Sequence, residues 1–431
     1  MSSIPSAEGF DSTLTLLRNP YGFISQTCRA LDTDLFETRI LLQKTICMTG
    51  SAAAEVFYSD DKLIRAGSMP GRIQKTLLGE GGIQGLDGAA HQHRKKMFMS
   101  LMGTEHIAAL QGMSLHMLDN YAPDWEARNE VVFYDKVREM LTRAVCAWCG
   151  VPLPEAEVAT RTAQLTALFE DAGAIGPKHW AARLARHRLE KWAAGMIQQV
   201  RDGELQPTQE SALHVIATWR DLDGAILPPK VAAVELLNVL RPTVAVSVFI
   251  VQTAHALHRY PEWQEKLRND EGLLEPFVQE VRRLYPFFPA VAARVKSTFE
   301  WQGYRFPEGC RVLLDLYGTN TDPRSWDAPL EFRPERFRDR AKNQYDFIPQ
   351  GGGDHYTNHR CPGEWIAISQ MKAFCRYLVN DVKYDVQDQD LELGTGEPVH
   401  HAQRQASAVT SASSGSTDRA SFVASNASHA T

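Results

Sequence analysis

One cysteine lies between a glycine-rich segment and a stretch with helical spacing of apolar residues. The segment 347–364 contains three consecutive glycines at 351–353 and continues to Cys361, which Pro362 follows. Glycines carry no Cβ and tolerate positive φ, so this backbone can pass close to a flat macrocycle. The unpaired amides and positive dipole of the following helix start favour a thiolate. The pattern predicts a thiolate metal ligand, whereas Cys361 taken alone also fits a buried structural cysteine.

Three charged residues upstream favour the ligand interpretation. Glu280 and Arg283 stand at i and i+3 of a helix predicted over 262–285, so they share one face. Such a pair alone is typical of solvated helix faces. In this order, however, Glu280, Arg283, Arg336 and Cys361 together resemble the cytochrome P450 superfamily, in which they match the charged triad and the haem ligand. The resemblance implies a thiolate-ligated haem b in a single-domain cytochrome P450 fold, mainly α with a small β region.

A long helix is predicted over 230–258, with Arg241 and Pro242 at its centre. Ordinary monooxygenases of the superfamily carry an acid followed by threonine there, and this pair relays protons to bound dioxygen. Pro242 removes a backbone hydrogen bond, so we expect the helix to kink or widen. The Arg-Pro pair and the glycine-rich cysteine segment resemble the fatty-acid peroxygenase branch, and the overall match favours its bacterial α-hydroxylating members.

Arg241 stands among apolar residues and has no Asp or Glu within one helical turn. A buried guanidinium needs a counter-anion. One alternative is a distant acid or a haem propionate. The other is a substrate carboxylate, which the planar guanidinium would bind in a bidentate way. The branch resemblance favours the substrate.

The resemblance also implies a reaction and its position. A peroxygenase takes oxygen from hydrogen peroxide and needs a group that moves a proton between the two peroxide oxygens. A fatty-acid carboxylate held by Arg241, beside Pro242, could act as general base and then as general acid. The oxidant would then meet the carbons next to the carboxylate. We therefore predict α-hydroxylation of long-chain fatty acids without a redox partner, with β-hydroxylation and decarboxylation as alternatives.

The remaining pocket residues are mainly apolar. Each of them could instead serve only in core packing, and this alternative is strongest for Phe169. Gln84 is informative because decarboxylating relatives carry histidine there, and glutamine cannot transfer a proton at neutral pH. This residue therefore favours hydroxylation. The predicted substrate-binding residues, besides Arg241, are Leu78, Gln84, Phe169, Ala245 and Phe288.

Haem propionates require cations, and the resemblance places basic residues near them. The run 91–96 is similar to the propionate-binding helix of the superfamily, although a surface basic patch is an alternative. Arg294 and His359 match its other propionate donors. The predicted haem-binding residues are His91, Lys95, Arg294, His359 and, with weaker support, Arg65.

Composition agrees with the single large enzyme that the resemblance implies. The 431 residues carry 46 basic and 52 acidic side chains, a net charge of −6 that gives no reason to expect nucleic acid as a partner. No apolar run is long enough for a membrane anchor, and the first residues lack the features of a signal peptide. The seven cysteines are scattered without a disulfide framework, as expected in a reduced compartment, and the pair Cys146 and Cys149 suits core packing. We expect a cytoplasmic protein.

The chain is predicted to divide into a haem-thiolate domain at 1–402 and a Ser/Ala-rich disordered tail at 403–431. Strands are expected within 37–49 and 297–316, and helices over most of 104–285. Two other functional classes stay open on this fold. A conventional monooxygenase would need an electron-donating partner, and a haem sensor or fatty-acid carrier would bind the acid without turnover.

Overall fold

The computed structural model describes residues 3–59, 61–127, 131–285, 287–341 and 343–386, and a strand at 408–410. Helices dominate these residues, as predicted. They are α1 Thr13–Arg18, α2 Phe23–Ala30, α3 Ser51–Phe57, α4 Gly71–Leu77, α5 Gly88–Ser100, α6 Thr104–Glu126, α7 Phe133–Cys149, α8 Glu155–Glu170, α9 Pro177–Arg201, α10 Ala212–Thr218, α11 Pro229–Arg259, α12 Glu262–Asn269, α13 Leu274–Leu284, α14 Leu316–Asn320 and α15 Glu364–Asn380.

The β region is small. Its strands are β1 Leu35–Ile40, β2 Gln43–Met48, β3 Leu63–Ile64, β4 Val131–Val132, β5 Ala290–Val295, β6 Phe299–Trp301, β7 Tyr304–Phe306, β8 Arg311–Asp315, β9 Asp385–Val386 and β10 Ala408–Thr410. A five-stranded sheet has the order β1-β2-β8-β5-β3, in which β2 and β8 are parallel and the other neighbours are antiparallel. A hairpin, β6–β7, and a small sheet, β4-β10-β9, complete it.

Helix α11 lies at the centre of the main hydrophobic core. It packs against α7, α9, α15 and α8, and most of its side chains are buried. Its length and apolar composition would also suit a membrane span, but 94% of its most apolar stretch is buried inside the protein. The backbone stays helical through Pro242. Residues 230–258 were predicted as helix, and this prediction is confirmed.

Two local predictions need correction. The helix predicted over 262–285 is two helices, α12 and α13, because Asp270 is extended and its carboxylate accepts the Gly272 N–H at 3.0 Å. Within the tail predicted to be disordered, Ala408–Thr410 forms β10 and pairs with β4 and β9. The β-branched Val409 and Thr410 suit a strand. The rest of 403–431 lies outside the described residues. The strand pair within 37–49 and the hairpin within 297–316 are confirmed.

Candidate active site

The segment 347–363, called the cysteine loop below, is held in a conformation that only glycine adopts easily. Gly351 has φ +97° and Gly353 φ +82°. A Cβ on Gly353 would lie 2.5 Å from the Asn358 side-chain oxygen. The Cys361 N–H donates to the Gln350 carbonyl at 3.0 Å, three residues before α15 begins. The loop therefore presents Cys361 at the entrance to a buried helix, as predicted.

The groups around Cys361 have opposite effects on the pKa of its thiol. Burial raises the pKa of its thiol, whereas the Gly363 N–H and the charges of Lys95 and Arg282 lower it. Neighbouring Glu364 acts in the raising direction. A metal ion would decide the balance, because coordination deprotonates a thiol outright. The donor set thus suits a thiolate that is bound to a metal.

An ion-pair cluster behind the loop was missed in the sequence. Arg282 donates to Glu364 at 2.5 Å and to Gln350 at 2.9 Å, and Arg360 donates to Glu364 at 2.6 Å. The pKa of Glu364 is lowered well below its usual value, because the charges and hydrogen bonds of Arg282, His355 and Arg360 outweigh the raising effect of burial. The arginine next to Arg283 therefore fastens α13 to the cysteine loop. In the sequence, the only sign of this contact was that a second arginine, Arg282, precedes Arg283.

The predicted charged triad is assembled. Arg283 pairs with both carboxylate oxygens of Glu280 at 2.7 and 2.8 Å, and Arg336 reaches Glu280 at 3.2 Å. Glu280 and Arg283 are fully buried. Arg283 also donates to three carbonyls, those of Asn320, Pro329 and Glu331. The triad thus ties α13 to the segment before the cysteine loop.

The predicted propionate ligands converge around the start of α5. The His91 and His359 rings stack at 3.7 Å, and burial followed by the charge of His359 lowers the pKa of His91 to about 3. Lys95 is buried, which lowers its pKa to about 8. Its ammonium donates to the carbonyls of Asn358 and Arg360 at 2.6 and 2.5 Å. Lys95 therefore also holds the cysteine loop.

Arg65 and Arg294 approach this region from the sheet side. Arg294 donates to the carbonyls of Gly67 and Gly309 at 2.6 and 2.8 Å. Arg65 lies over the Phe57 ring at 4.3 Å. Among the described residues, neither Lys95 nor Arg294 forms an ion pair with a carboxylate. Lys95 and Arg294 instead donate to backbone carbonyls. A haem carries two carboxylates that require cations, so the residues present fit this cofactor.

Arg241 is 6% exposed. It donates to the Leu77 carbonyl at 2.7 Å and to the Asn238 side-chain oxygen at 3.4 Å, and its buried Nε has no partner within the described part of the chain. Burial, followed by the charge of Arg186, lowers its pKa to about 9, so the guanidinium remains charged at neutral pH. Among the described residues, no carboxylate forms an ion pair with Arg241.

A second guanidinium, which the sequence interpretation missed, supports the same segment. Arg186 of α9 donates to the carbonyl of Leu78 at 3.2 Å and contacts that of Leu77 at 3.5 Å, and Glu190 accepts its Nε–H at 2.7 Å. Gly79 has φ +82°, and a Cβ there would lie 2.0 Å from Arg186. The segment after α4 is therefore fixed against both arginines.

A chain of polar side chains continues from Arg241 toward the surface. Asn238 donates to Gln84 at 3.0 Å and to Glu235 at 2.9 Å. Glu235 accepts from Arg94 at 2.7 Å, and Arg94 reaches Asp221 at 2.5 Å. Gln84 is thus connected to Arg241 through Asn238. Asn238 was missed, although its position three residues before Arg241 was a usable signal.

The apolar pocket residues have different surroundings. Ala245 follows Arg241 by one turn and is buried, and Phe169 belongs to the main core. Leu78 is partly buried against the same core. Phe288 is 40% exposed and packs on Phe287 at 4.5 Å. An open cleft of about 280 Å³ lies elsewhere, between α7 and α8, and none of the predicted site residues lines it.

Comparisons with known proteins agree with this geometry. The cytochrome P450 family model matches residues 251–399. Structures of cytochrome P450SP alpha are 49% identical, with a TM-score of 0.92 over 95% of this chain and 100% of theirs. The chain belongs to the cytochrome P450 family. Cytochrome P450EX alpha with myristic acid is 42% identical, over 96% of this chain and all of its own, with the same TM-score of 0.92.

A curated relative from Synechocystis sp., a putative cytochrome P450, is 24% identical over 83% of this chain and 85% of its own. Because the solved cytochromes P450 match almost the whole chain, the predicted fold and a thiolate-ligated haem iron are confirmed.

Proposed function

We propose that this cytochrome P450 hydroxylates long-chain fatty acids at the α carbon with hydrogen peroxide as oxidant. One observation carries the proposal. Arg241 is a buried cation at the centre of α11 that has no carboxylate partner among the described residues. A buried charge without a counter-ion is costly, and a bound carboxylate removes that cost.

The relatives support a carboxylic acid as substrate. Cytochrome P450EX alpha was solved with myristic acid, and cytochrome P450SP alpha with ibuprofen. Both ligands are carboxylic acids that carry a large apolar group. The same chemistry suits a site in which Arg241 lies among the apolar side chains of α11 and near Leu78.

Bound haem supplies the iron centre, and its thiolate ligand favours O–O cleavage. The chain itself offers little for moving the peroxide proton. Thr243 lies in the centre of α11, but its hydroxyl donates to the Val239 carbonyl at 2.9 Å. Arg241 has no proton-accepting atom. We therefore assign the acid–base function to the substrate carboxylate, which Arg241 binds and orients beside Pro242.

The position of oxidation follows from the same contact. A carboxylate held by Arg241 brings its neighbouring carbons toward the reactive centre. Gln84 lies beside this site through Asn238 and cannot transfer a proton at neutral pH. These two features favour α-hydroxylation over decarboxylation. β-Hydroxylation is the outcome that product analysis must distinguish.

The remaining roles are proposed on the same basis. His91, Lys95, His359, Arg294 and Arg65 would hold the haem propionates, and Cys361 the iron. Leu78, Phe169, Ala245 and Phe288 would contact the alkyl chain. The proposal includes a cytoplasmic location and no redox partner. It also includes a haem-thiolate domain at 1–402.

The decisive variant is Arg241→Ala in the haem-loaded protein. With myristic acid and hydrogen peroxide, we expect wild-type protein to form 2-hydroxymyristic acid and the variant to lose at least 100-fold of this turnover. The thiolate haem spectrum should be unchanged. Wild-type protein should oxidise a small neutral substrate only when acetate is added to take the place of the substrate carboxylate. Full turnover by Arg241→Ala, or activity of wild-type protein only with an electron-transfer partner, would contradict the proposal.

A further inference from the structure

The polarity of the Asn238 amide is fixed by its neighbours. On one side lies Glu235, whose carboxylate already accepts the Ile83 N–H at 2.9 Å and Arg94 at 2.7 Å. On the other side lies Arg241, which can only donate. Asn238 must therefore turn its NH₂ group toward Glu235 and its oxygen toward Arg241.

The same constraint orients Gln84. The Asn238 NH₂ group also faces the Gln84 side chain at 3.0 Å, so that atom of Gln84 must be its oxygen. The Gln84 NH₂ group consequently points away from Asn238 and is available as a donor. Within the described part of the chain it forms no hydrogen bond. Two unused donors, the Gln84 NH₂ and the Arg241 Nε–H, thus belong to side chains that Asn238 holds.

The backbone leaves little room for another arrangement. A Cβ on Gly82 would lie 2.8 Å from the Asn238 nitrogen and 3.3 Å from the Gln84 oxygen. Asn238 is itself 6% exposed, on the buried face of α11. The amide is thus enclosed between Gly82, Glu235 and Arg241. A side chain of different shape or polarity cannot make all three contacts.

We infer that Asn238 is a positioning residue that holds Arg241 and Gln84 together as a two-donor receptor for the substrate carboxylate, an inference that rests on the proposed function. Glu235 sets the orientation of the amide, and Arg94 keeps Glu235 in place. Arg241 supplies the charge. Gln84 supplies a neutral second donor, which would fix the rotation of the carboxylate and hence the carbon that is oxidised.

The test is a double-mutant cycle with Asn238→Leu, Gln84→Leu and the double variant. Binding of myristic acid and of its methyl ester to the haem-loaded protein is measured by calorimetric titration. We expect each single variant to weaken binding of the acid about tenfold and binding of the ester less than twofold. The double variant should bind the acid no more weakly than Asn238→Leu, because Gln84 acts only when Asn238 holds it. Gln252→Leu, a buried amide farther along α11, is the matched control and should change neither affinity.

Equal losses for acid and ester would assign Asn238 a merely structural role, and additive losses would show that Gln84 acts without it; either result overturns the inference. Should Asn238→Leu not fold, Gly82→Ala crowds the same amide and is expected to weaken acid binding selectively. Retained acid binding by Arg241→Ala would refute the proposed function. Lost binding by Arg241→Ala with unchanged binding by Asn238→Leu would refute only this inference.

Discussion

Arg283 and Arg241 are both buried on helices of the main core, but their surroundings are opposite. Arg283 uses its five N–H groups in contacts with the Glu280 carboxylate and three backbone carbonyls. Arg241 makes two hydrogen bonds, neither of them to a carboxylate, and its Nε has no partner within the described residues.

We propose that this difference separates a structural arginine, Arg283, from a substrate-binding arginine, Arg241. Breaking a fully paired buried ion pair leaves an uncompensated charge, so the fold depends on Arg283. A cation that already lacks its counter-anion contributes little to folding and can contribute much to ligand affinity. The state of pairing, more than burial or residue type, therefore indicates which buried charge is functional.

The largest effect is expected at the paired site. Glu280→Ala leaves both Arg283 and Arg336 without their acid, and we expect the free energy of unfolding to fall by about 3 to 5 kcal/mol. Urea unfolding followed by circular dichroism measures this. Glu275→Ala is the control, because Glu275 lies on the same helix and forms only an exposed pair with Lys372 at 3.3 Å. A loss below about 1 kcal/mol for Glu280→Ala would show that the fold does not depend on the buried pair of Glu280 and Arg283.

The unpaired site should respond to ligand instead. Arg241→Met keeps the length of the side chain without its charge, and we expect thermal stability without ligand to stay close to wild type. Myristic acid at about 100 times its Kd should stabilise wild-type protein by about 2.7 kcal/mol and leave the variant unaffected. Differential scanning calorimetry with and without the acid checks both statements. If Arg241→Met unfolds without ligand, the fold depends on Arg241 as it does on Arg283, and the contrast between the two arginines is wrong.

A buried carboxylate provides the converse case. Asp315 accepts the Gly318 N–H at 2.7 Å and forms no ion pair among the described residues, and burial raises its pKa to about 7. The folded state therefore binds a proton more tightly than the unfolded state, so the contribution of Asp315 to stability decreases as pH rises from about 4 to 7. Arg29 and Asp322 lie near it, with opposite effects.

Asp315→Asn keeps the helix cap and cannot ionise. We expect the variant to be more stable than wild type at pH 8, on the order of 2 kcal/mol, and the difference to disappear near pH 4. Urea unfolding across this pH range measures it. A constant difference between the two proteins at all pH values would show that ionisation of Asp315 is not the cause.

These cases also show how far the sequence could lead. The pairing of Glu280 with Arg283 was predictable, because it depends on spacing along one helix. Arg94 and Glu235 are 141 residues apart, and their pairing depends on how α5 packs against α11. The break between α12 and α13 was missed because it depends on the local cap at Asp270. The motifs that carry the family resemblance thus indicated the site, and tertiary packing determined the partners of its charges.

The smallest effect is expected where an arginine is paired but exposed. Arg338 contacts Asp270 at 2.6 Å, a distance similar to that between Arg283 and Glu280, but about half of each side chain is exposed. Water solvates both charges when the pair is broken, so Arg338→Ala should lower the free energy of unfolding by less than about 1 kcal/mol. Added salt at 1 M should reduce even this difference, because it screens exposed charges. Urea unfolding at low and high salt checks both points. A loss comparable with that of Glu280→Ala would mean that pairing geometry alone, and not burial together with pairing, makes an arginine structural in this protein.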